Sequence, residues 1–171
     1  MASAYLLTGR PGTGKTTLIR QVIAGRDIKA GGFYTEEIRS GGIRQGFRIV
    51  TLDGQEAVLS HIDTPGRCRV GKYGVDINNL ETIGVTAVLQ AIEKSDLIVI
   101  DEIGKMELFS DRFREAVLWA ISSGKKVLGT IMLKPDPFAD DIKRRPDVKV
   151  VEVTRNNQGQ VLADIKNWLN I

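Results

Sequence analysis

The residues with the clearest chemical signature form one octapeptide, Gly9-Arg10-Pro11-Gly12-Thr13-Gly14-Lys15-Thr16. It matches the pattern G-x-x-x-x-G-K-[ST], in which glycines let backbone N–H groups converge on a phosphate. The positive end of a following helix faces the same anion. The lysine of such a loop reaches the β and γ oxygens, and the hydroxyl of its last residue coordinates Mg²⁺. The pattern therefore predicts a binding loop for a nucleoside triphosphate.

An enzyme with such a loop also needs an acidic site for the metal ion and the attacking water, and the chain offers two candidates. The first is Asp101-Glu102, which directly follows the apolar run Leu97–Ile100. At a strand end, Asp101 would orient the water shell of Mg²⁺, and Glu102 would polarise a water for attack on the γ-phosphate. This interpretation assigns the metal to Thr16 and Asp101, and catalysis to Lys15 and Glu102.

The second candidate is Asp63-Thr64-Pro65-Gly66, which matches the D-x-x-G switch of GTPases. Ser60 and His61 interrupt the apolar run before it, so that run is a weaker buried strand than Leu97–Ile100. The guanine-specifying N-K-x-D sequence is absent from the chain. We therefore favour Asp101-Glu102 and interpret Asp63–Gly66 as a loop.

The segments that must position these residues alternate between apolar strands and amphipathic helices. Buried strands are predicted at Ala4–Thr8, Leu97–Ile100, Val127–Met132 and Val148–Val153. Helices are predicted over Lys15–Ala24, around Leu80–Ile92, between the N-cap Ser110 and Gly124, and over Val161–Leu169. Such alternation is typical of a parallel sheet covered on both faces. It predicts an α/β fold, namely the three-layer sandwich of P-loop NTPases with a mainly parallel central sheet.

The position of the acidic pair also predicts the strand order. In P-loop proteins that keep a catalytic glutamate directly after the aspartate, another strand usually lies between the loop strand and the acidic strand. Val127–Met132 is available for that place, which predicts a RecA-like order. Thr130, near its end, would then either sense the γ-phosphate or be a buried threonine bonded to the backbone.

The segment from about 31 to 75 has a different sequence pattern, in which predicted strands are separated by glycine-containing turns. Phe33–Arg39 and Phe47–Leu52 flank a turn at Ser40-Gly41-Gly42, and Asp53-Gly54 turns the chain toward Ala57–Ser60. We expect an antiparallel β insertion in a single domain covering residues 1–171.

Composition sets mild limits on partners and location. The chain has 171 residues, with 24 Lys+Arg against 21 Asp+Glu and a net charge of +3. The densest basic run, Lys143–Arg145, is interpreted as a solvated helix end rather than a nucleic-acid patch. The one cysteine, Cys68, cannot form an internal disulfide, which favours a reducing compartment and hence the cytoplasm. No run approaches the roughly 18 apolar residues of a membrane span.

The sequence resembles the THEP1-type nucleoside-triphosphatases, which are small P-loop NTPases. The resemblance covers nearly the whole chain. It is carried by GRPGTGKTT (Gly9–Thr17), GGFYTEEIRSGGIRQGF (Gly31–Phe47), CRVGKYGVD (Cys68–Asp76), VIDEIGKMELFS (Val99–Ser110), LGTI (Leu128–Ile131) and DVKVVEVT (Asp147–Thr154). The segment Leu133–Asp141 is less family-like, so roles there stay open.

The resemblance implies slow, Mg²⁺-dependent hydrolysis of several nucleoside triphosphates, ATP and GTP among them, to diphosphate and phosphate. It also implies nucleotide contacts along the phosphate loop and the acidic strand. These are Gly9, Arg10, Pro11, Gly12, Thr13, Gly14, Lys15, Thr16 and Thr17, and then Leu97, Ile98, Val99, Ile100, Asp101, Glu102, Ile103 and Gly104.

A P-loop hydrolase often uses an arginine finger for the charge of the transition state. The candidates are Arg44, Arg48, Arg67 and Arg69 in the insertion, and Arg144 and Arg145 farther on. We favour Arg69 because it lies in the family-like CRVG stretch. Lys105 would either approach the phosphates or pair with Glu107, and we favour the ion pair. Trp119 and Trp168 are expected to be packing residues.

Three classes of function remain open on sequence alone. Hydrolysis of ATP, GTP, CTP and UTP by a monomer is the main hypothesis. A phosphotransferase would use the β insertion to grip an acceptor hydroxyl, and the same acidic base would serve it. A nucleic-acid-associated P-loop ATPase is supported only by the basic pI of about 9.1.

Overall fold

The computed structural model describes residues 2–25 and 27–171. In this part of the chain nine strands form one sheet. They are β1 Ala4–Thr8, β2 Ala30–Ser40, β3 Ile43–Thr51, β4 Glu56–His61, β5 Arg69–Val70, β6 Tyr73–Val75, β7 Leu97–Ile103, β8 Lys126–Ile131 and β9 Val148–Glu152. The order across the sheet is β5-β6-β4-β3-β2-β7-β8-β1-β9.

The helices cover both faces of this sheet. They are α1 Lys15–Ala24, α2 Ile77–Asn79, α3 Thr86–Lys94, α4 Asp111–Ser122, α5 Pro137–Lys143 and α6 Gln158–Leu169. A π-helical segment, Leu80–Val85, joins α2 to α3, and a 3-10 helix, Glu107–Phe109, follows β7. Among the helices of the described residues, none is both long and apolar enough to cross a membrane.

The central strands are parallel and follow the predicted order. β1 pairs in parallel with β8 on one side and β9 on the other, and β7 pairs in parallel with β8 and β2. The loop strand β1 is thus separated from the acidic strand β7 by β8 alone, and the RecA-like order is confirmed. The carboxyl ends of β1, β8 and β7 meet at one edge, where ligands of open α/β sheets bind.

The antiparallel part of the sheet grows out of one long strand. β2 pairs in parallel with β7 over Ala30–Phe33, and then in antiparallel with β3 over Phe33–Ser40. β4, β6 and β5 extend this side further. The predicted antiparallel addition is therefore present, and it projects from the same edge as the loop.

Residue alternation along the buried strands divides the core into two layers. Tyr5 and Leu7 of β1 pack with α1 and α6, through residues such as Ile19 and Ile165. Leu6, between them, faces α3 and α4 on the opposite side. Both faces of the sheet are thus covered, as the three-layer sandwich requires.

Three local expectations meet different outcomes. Lys143–Arg145 does end a helix, α5, whose N-cap Asp136 accepts the Ala139 N–H at 3.0 Å. Trp168 packs against Tyr5 with ring centroids 5.4 Å apart, as expected. Trp119 was expected to pack, and this is wrong. Its side chain is 66% exposed because it lies on the outer face of α4.

Candidate nucleotide-binding site

The glycine-rich loop connects β1 to α1, and its glycines are required by close contacts. Gly9 has φ of 140°, and a Cβ there would lie 2.6 Å from the Val153 carbonyl oxygen. Gly14 has φ of 92°, and a Cβ there would lie 2.8 Å from Gln158 Nε2. Both positive φ angles are ones that L side chains rarely adopt, and Gly9 also has no room for a Cβ, so glycine is favoured at both positions.

Hydrogen bonds to the loop itself hold it in shape. Gln158 Nε2 donates to the Thr13 carbonyl at 2.6 Å, which ties the loop to the start of α6. Thr13 Oγ1 donates to the Arg10 carbonyl at 2.9 Å across the turn. These hydrogen bonds help to fix the shape of the loop.

Lys15 lies over the concave side of the loop. Its Nζ donates to the carbonyls of Gly9 and Arg10, both at 2.9 Å. These carbonyls hold the ammonium group where the loop lysine meets β and γ oxygens in P-loop proteins. The charged oxygens of a triphosphate would be stronger hydrogen-bond acceptors for Lys15 than these neutral carbonyl oxygens.

Asp101 joins the loop to the acidic strand. Thr16 Oγ1 donates to Asp101 Oδ2 at 2.7 Å, and Thr130 Oγ1 donates to Asp101 Oδ1 at 2.6 Å. Burial raises the pKa of Asp101, while hydrogen bonds from Thr130 and Thr16 and the charge of Lys15 act to lower it. Thr130 therefore positions Asp101, a role that neither of the two sequence interpretations included.

Glu102 is half-buried beside Asp101, and the peptide bond between the two residues is cis. Burial first and then the charge of Asp101 raise the pKa of Glu102 to about 7, against the lowering effect of Lys15. The side chain lies against Gly104, where a Cβ would collide with its carboxyl group. A carboxyl group with such a pKa is suited to accept a proton near neutral pH.

Lys105 and Glu107 do not form the ion pair that we favoured. Glu107 is 3% exposed, and its Oε2 has no hydrogen-bond partner among the described residues. Burial and then the charge of Glu102 raise the pKa of Glu107 well above its usual value. Lys105 is exposed and faces the cavity over the loop instead.

These groups surround a cavity of about 730 Å³. All but one of the predicted loop contacts line it, namely Gly9, Arg10, Pro11, Gly12, Gly14, Lys15, Thr16 and Thr17. Asp101 and Glu102 line it from β7. The cavity has a further wall, in which only Arg44 and Lys105 were candidates from the sequence. It is made of Thr35, Glu37, Arg44, Phe47, Lys105, Met132, Leu133 and Lys134.

Other predicted contacts lie outside the cavity. Leu97–Ile100 and Ile103 are fully buried in the sheet and do not line the cavity, so nucleotide contacts at these positions stay a prediction. Gly104 is also buried and instead makes room for Glu102. Asp63–Gly66 follows β4, which is separated from the loop strand β1 by four other strands. The GTPase-switch alternative therefore has no geometric basis.

Arg69, which we favoured as the arginine finger, also does not line the cavity. Its guanidinium donates to the carbonyls of Thr64 at 2.9 Å and Lys72 at 2.8 Å, so it braces the loop between β4 and β5. The insertion arginine that lines the cavity is Arg44. No local signal separates the two arginines, because the pairing of β2 with β3 decides which one faces the loop.

Arg44 is held in place by three neighbours. It donates to Glu37 Oε1 and to the Tyr73 hydroxyl, both at 3.1 Å. Its guanidinium carbon lies 5.2 Å from the centroid of the Phe47 ring. These contacts fix a positive charge at the wall of the cavity without burying it.

A phosphate loop whose threonine hydroxyl bonds to an aspartate two strands away is the arrangement of P-loop nucleotide-binding proteins. A family model described as NTPase matches residues 4–166. The chain belongs to this NTPase family, and the resemblance to THEP1-type proteins is confirmed.

Named relatives and solved structures agree with this assignment. The chain is 50% identical over 165 residues to nucleoside-triphosphatase THEP1 of Thermotoga maritima, which covers 96% of the chain and 94% of that protein. It is 44% identical over 181 residues to the cancer-related nucleoside-triphosphatase of Homo sapiens, covering 96% of the chain and 95% of that protein. It superposes on the crystal structure of THEP1 from Aquifex aeolicus with a TM-score of 0.91 at 34% identity, covering 98% and 99% of the two chains.

Proposed function

We propose that this protein hydrolyses nucleoside triphosphates to diphosphate and phosphate, with Mg²⁺ as its metal ion. The observation that carries this proposal is the 2.7 Å hydrogen bond from Thr16 to Asp101, which brings the phosphate loop and the acidic strand to one cavity. Lys15 and Glu102 line that cavity too. The direct test is phosphate release by the purified protein from ATP and Mg²⁺ with no acceptor other than water.

The chain's own residues fit a small divalent cation. The Thr16 hydroxyl and the Asp101 carboxylate are oxygen donors, and one carboxylate plus substrate phosphates is the usual set for Mg²⁺. Among the described residues no group of three or more His, Cys, Asp and Glu could hold a metal alone, so the phosphates would complete the site. When bound, the ion neutralises charge on the β and γ oxygens.

The protein groups then divide the work of hydrolysis. Glu102 accepts a proton from water as the water oxygen forms its bond to the γ-phosphorus. The bond from that phosphorus to the bridging oxygen breaks, and the electron pair stays with the diphosphate. Lys15 binds the oxygens on which charge collects, while Asp101, fixed by Thr130, keeps Thr16 oriented.

We propose Arg44, rather than Arg69, as the arginine that stabilises the charge of the transition state. Arg44→Ala is expected to lower ATP turnover about 10–100-fold, less than the full range of arginine fingers because Glu37 already offsets part of the charge. Arg69→Ala, the matched control, should leave turnover within about twofold. Steady-state phosphate release measures both. A large loss in the Arg69 variant with none in the Arg44 variant would reverse this assignment.

Base choice provides a further test. No base-reading motif is present, so affinity should come mainly from the phosphates. ATP, GTP, CTP and UTP should be hydrolysed within about tenfold of one another, a difference of about 1.4 kcal/mol. Parallel measurements of kcat/KM check this. A preference for GTP of about a thousandfold would mean that base contacts, and not the phosphates, dominate recognition.

The nucleic-acid-associated alternative has little support in the described residues. The densest basic run ends α5, and Arg145 is paired with Asp147 at 2.9 Å.

Cys68 is a free, half-buried thiol, which supports a reducing compartment such as the cytoplasm. We propose that the protein acts as a monomer with nucleoside triphosphates as its ligands.

A further inference from the structure

The segment that follows β8 emerges between the phosphate loop and the acidic strand. β8 lies between β1, which leads into the loop, and β7, which carries the acidic pair. Three residues of the chain leaving β8 line the cavity over the loop, namely Met132, Leu133 and Lys134. The hydrolysis proposed above gives none of the three a role.

Both ends of this segment are fixed to the rest of the fold. At its start, the Met132 N–H donates to the Ile103 carbonyl at 3.0 Å, which ties the segment to the residue directly after the catalytic glutamate. At its end, Asp136 is the N-cap of α5 and accepts the Ala139 N–H at 3.0 Å. Only three residues lie between these two anchors, and Lys134 is the middle one. Short connections on both sides therefore hold Lys134 at the cavity.

The γ-phosphate of a bound triphosphate would lie close to this segment. The loop lysine of P-loop proteins binds the β and γ oxygens, so these two groups lie over Lys15, beyond the end of β1. Glu102 would activate a water that attacks the γ-phosphorus, so the γ group is the one nearer to β7. Because β8 ends between β1 and β7, the chain leaving it runs beside the γ-phosphate rather than the α-phosphate.

The side chain of Lys134 is suited to bind a phosphate oxygen. It is exposed, and none of the ion pairs among the described residues includes it, so its charge is available to a ligand. A lysine ammonium group is a compact point charge with three donors, which suits the charged oxygens of a phosphate. The neighbouring side chains, Met132 and Leu133, are apolar, so Lys134 supplies the donor of this part of the wall.

We propose that Lys134 binds an oxygen of the γ-phosphate and thereby makes the site prefer triphosphates to diphosphates. The inference rests on the proposed function, because it requires a triphosphate seated on the same loop. It deepens that function by naming the residue that distinguishes the substrate from the diphosphate product. When the γ-phosphate is lost, the contact with Lys134 is lost with it, whereas Lys15 keeps its contact with the β-phosphate.

The test compares the affinity of a non-hydrolysable ATP analogue, with an imido bridge between the β and γ phosphorus atoms, with that of ADP. Both ligands are titrated with Mg²⁺ into the full chain and into its Lys134→Gln variant. We expect the variant to bind the analogue about tenfold or more weakly, the effect of one lost charge-assisted hydrogen bond. It should bind ADP within about twofold of the parent, which also reports on its folding. Lys134→Arg keeps the positive charge and should restore most of the preference for the analogue.

Two further lysines make the outcome specific. Lys166→Gln, on the exposed side of α6, is the control and should change neither affinity. Lys105 is the other lysine that lines the cavity, and a selective loss of analogue binding in Lys105→Gln but not in Lys134→Gln would overturn the assignment. An equal loss for analogue and ADP in Lys134→Gln, or no loss for either, would also overturn it. Hydrolysis stands in each of these cases if the parent releases phosphate from ATP. If the parent neither binds these nucleotides nor releases phosphate, the proposed function itself has failed.

Discussion

Phosphate release by Glu102→Gln is expected to fall by about 10²–10⁴, the usual contribution of a positioned general base. Glutamine keeps the size of glutamate, so the contact with Gly104 is preserved. It loses the basicity needed to take a proton from the attacking water. ATP affinity should stay within a few-fold of the parent, because Lys15, Thr16 and Asp101 are untouched. Single-turnover hydrolysis and equilibrium binding measure the two quantities separately.

The neighbouring Asp101→Asn variant is the matched comparison. Asp101 accepts hydrogen bonds from Thr16 and Thr130, so its loss should alter the metal concentration needed for activity as well as the rate. A titration of activity against Mg²⁺ separates the two variants. If Glu102→Gln hydrolyses ATP at the parent rate with unchanged Mg²⁺ dependence, the base is a different residue.

Lys15→Ala should abolish most nucleotide binding and turnover together. The ammonium group neutralises charge on the β and γ oxygens in both the bound substrate and the transition state. Both the nucleotide affinity and the rate should therefore fall. A rate loss of at least about 10²–10³ is expected, the range for removal of one electrostatic donor. Calorimetric titration with ATP and phosphate release measure the two effects.

The fold should survive this substitution. The hydrogen bonds of Lys15 Nζ run to Gly9 and Arg10 in the loop, and the side chain is not part of the core. The thermal unfolding temperature should therefore stay close to the parent value. Lys166→Ala, on the exposed side of α6, removes one positive charge away from the cavity and serves as control. Near-parent hydrolysis by a folded Lys15→Ala protein would mean that another site is active.

The parts of the site that could be predicted from the sequence are those that one short stretch of residues determines. The loop needs its glycines, lysine and threonine at fixed spacing, so it is visible in one short stretch. Asp101-Glu102 follows an apolar run, which indicates a strand end. The RecA-like order followed from combining these two signals with the predicted strand Val127–Met132, which is β8 in the structure.

The cavity wall formed by Phe47, Met132, Leu133 and Lys134 could not be found in this way, because its residues come together through distant pairings. Phe47 faces the loop only because β3 pairs with β2, and β2 in turn with β7. Leu133 and Lys134 follow β8 in a stretch with no recognisable pattern. Arg69 was preferred to Arg44 on its sequence neighbours, which carry no information about which way either guanidinium points.

The pairing of β1 has a consequence for how the protein is made on the ribosome. The first strand of the chain finds both its neighbours, β8 and β9, among the last strands to be synthesised. Gly9 packs on Val153, and Thr13 is bonded to Gln158, so the loop also depends on late residues. At about 5–20 residues per second, the first strand waits on the order of ten seconds for these partners. A nascent chain without β9 and Gln158 lacks the contacts that shape the loop, so we expect ATP to stabilise only a chain that already includes them.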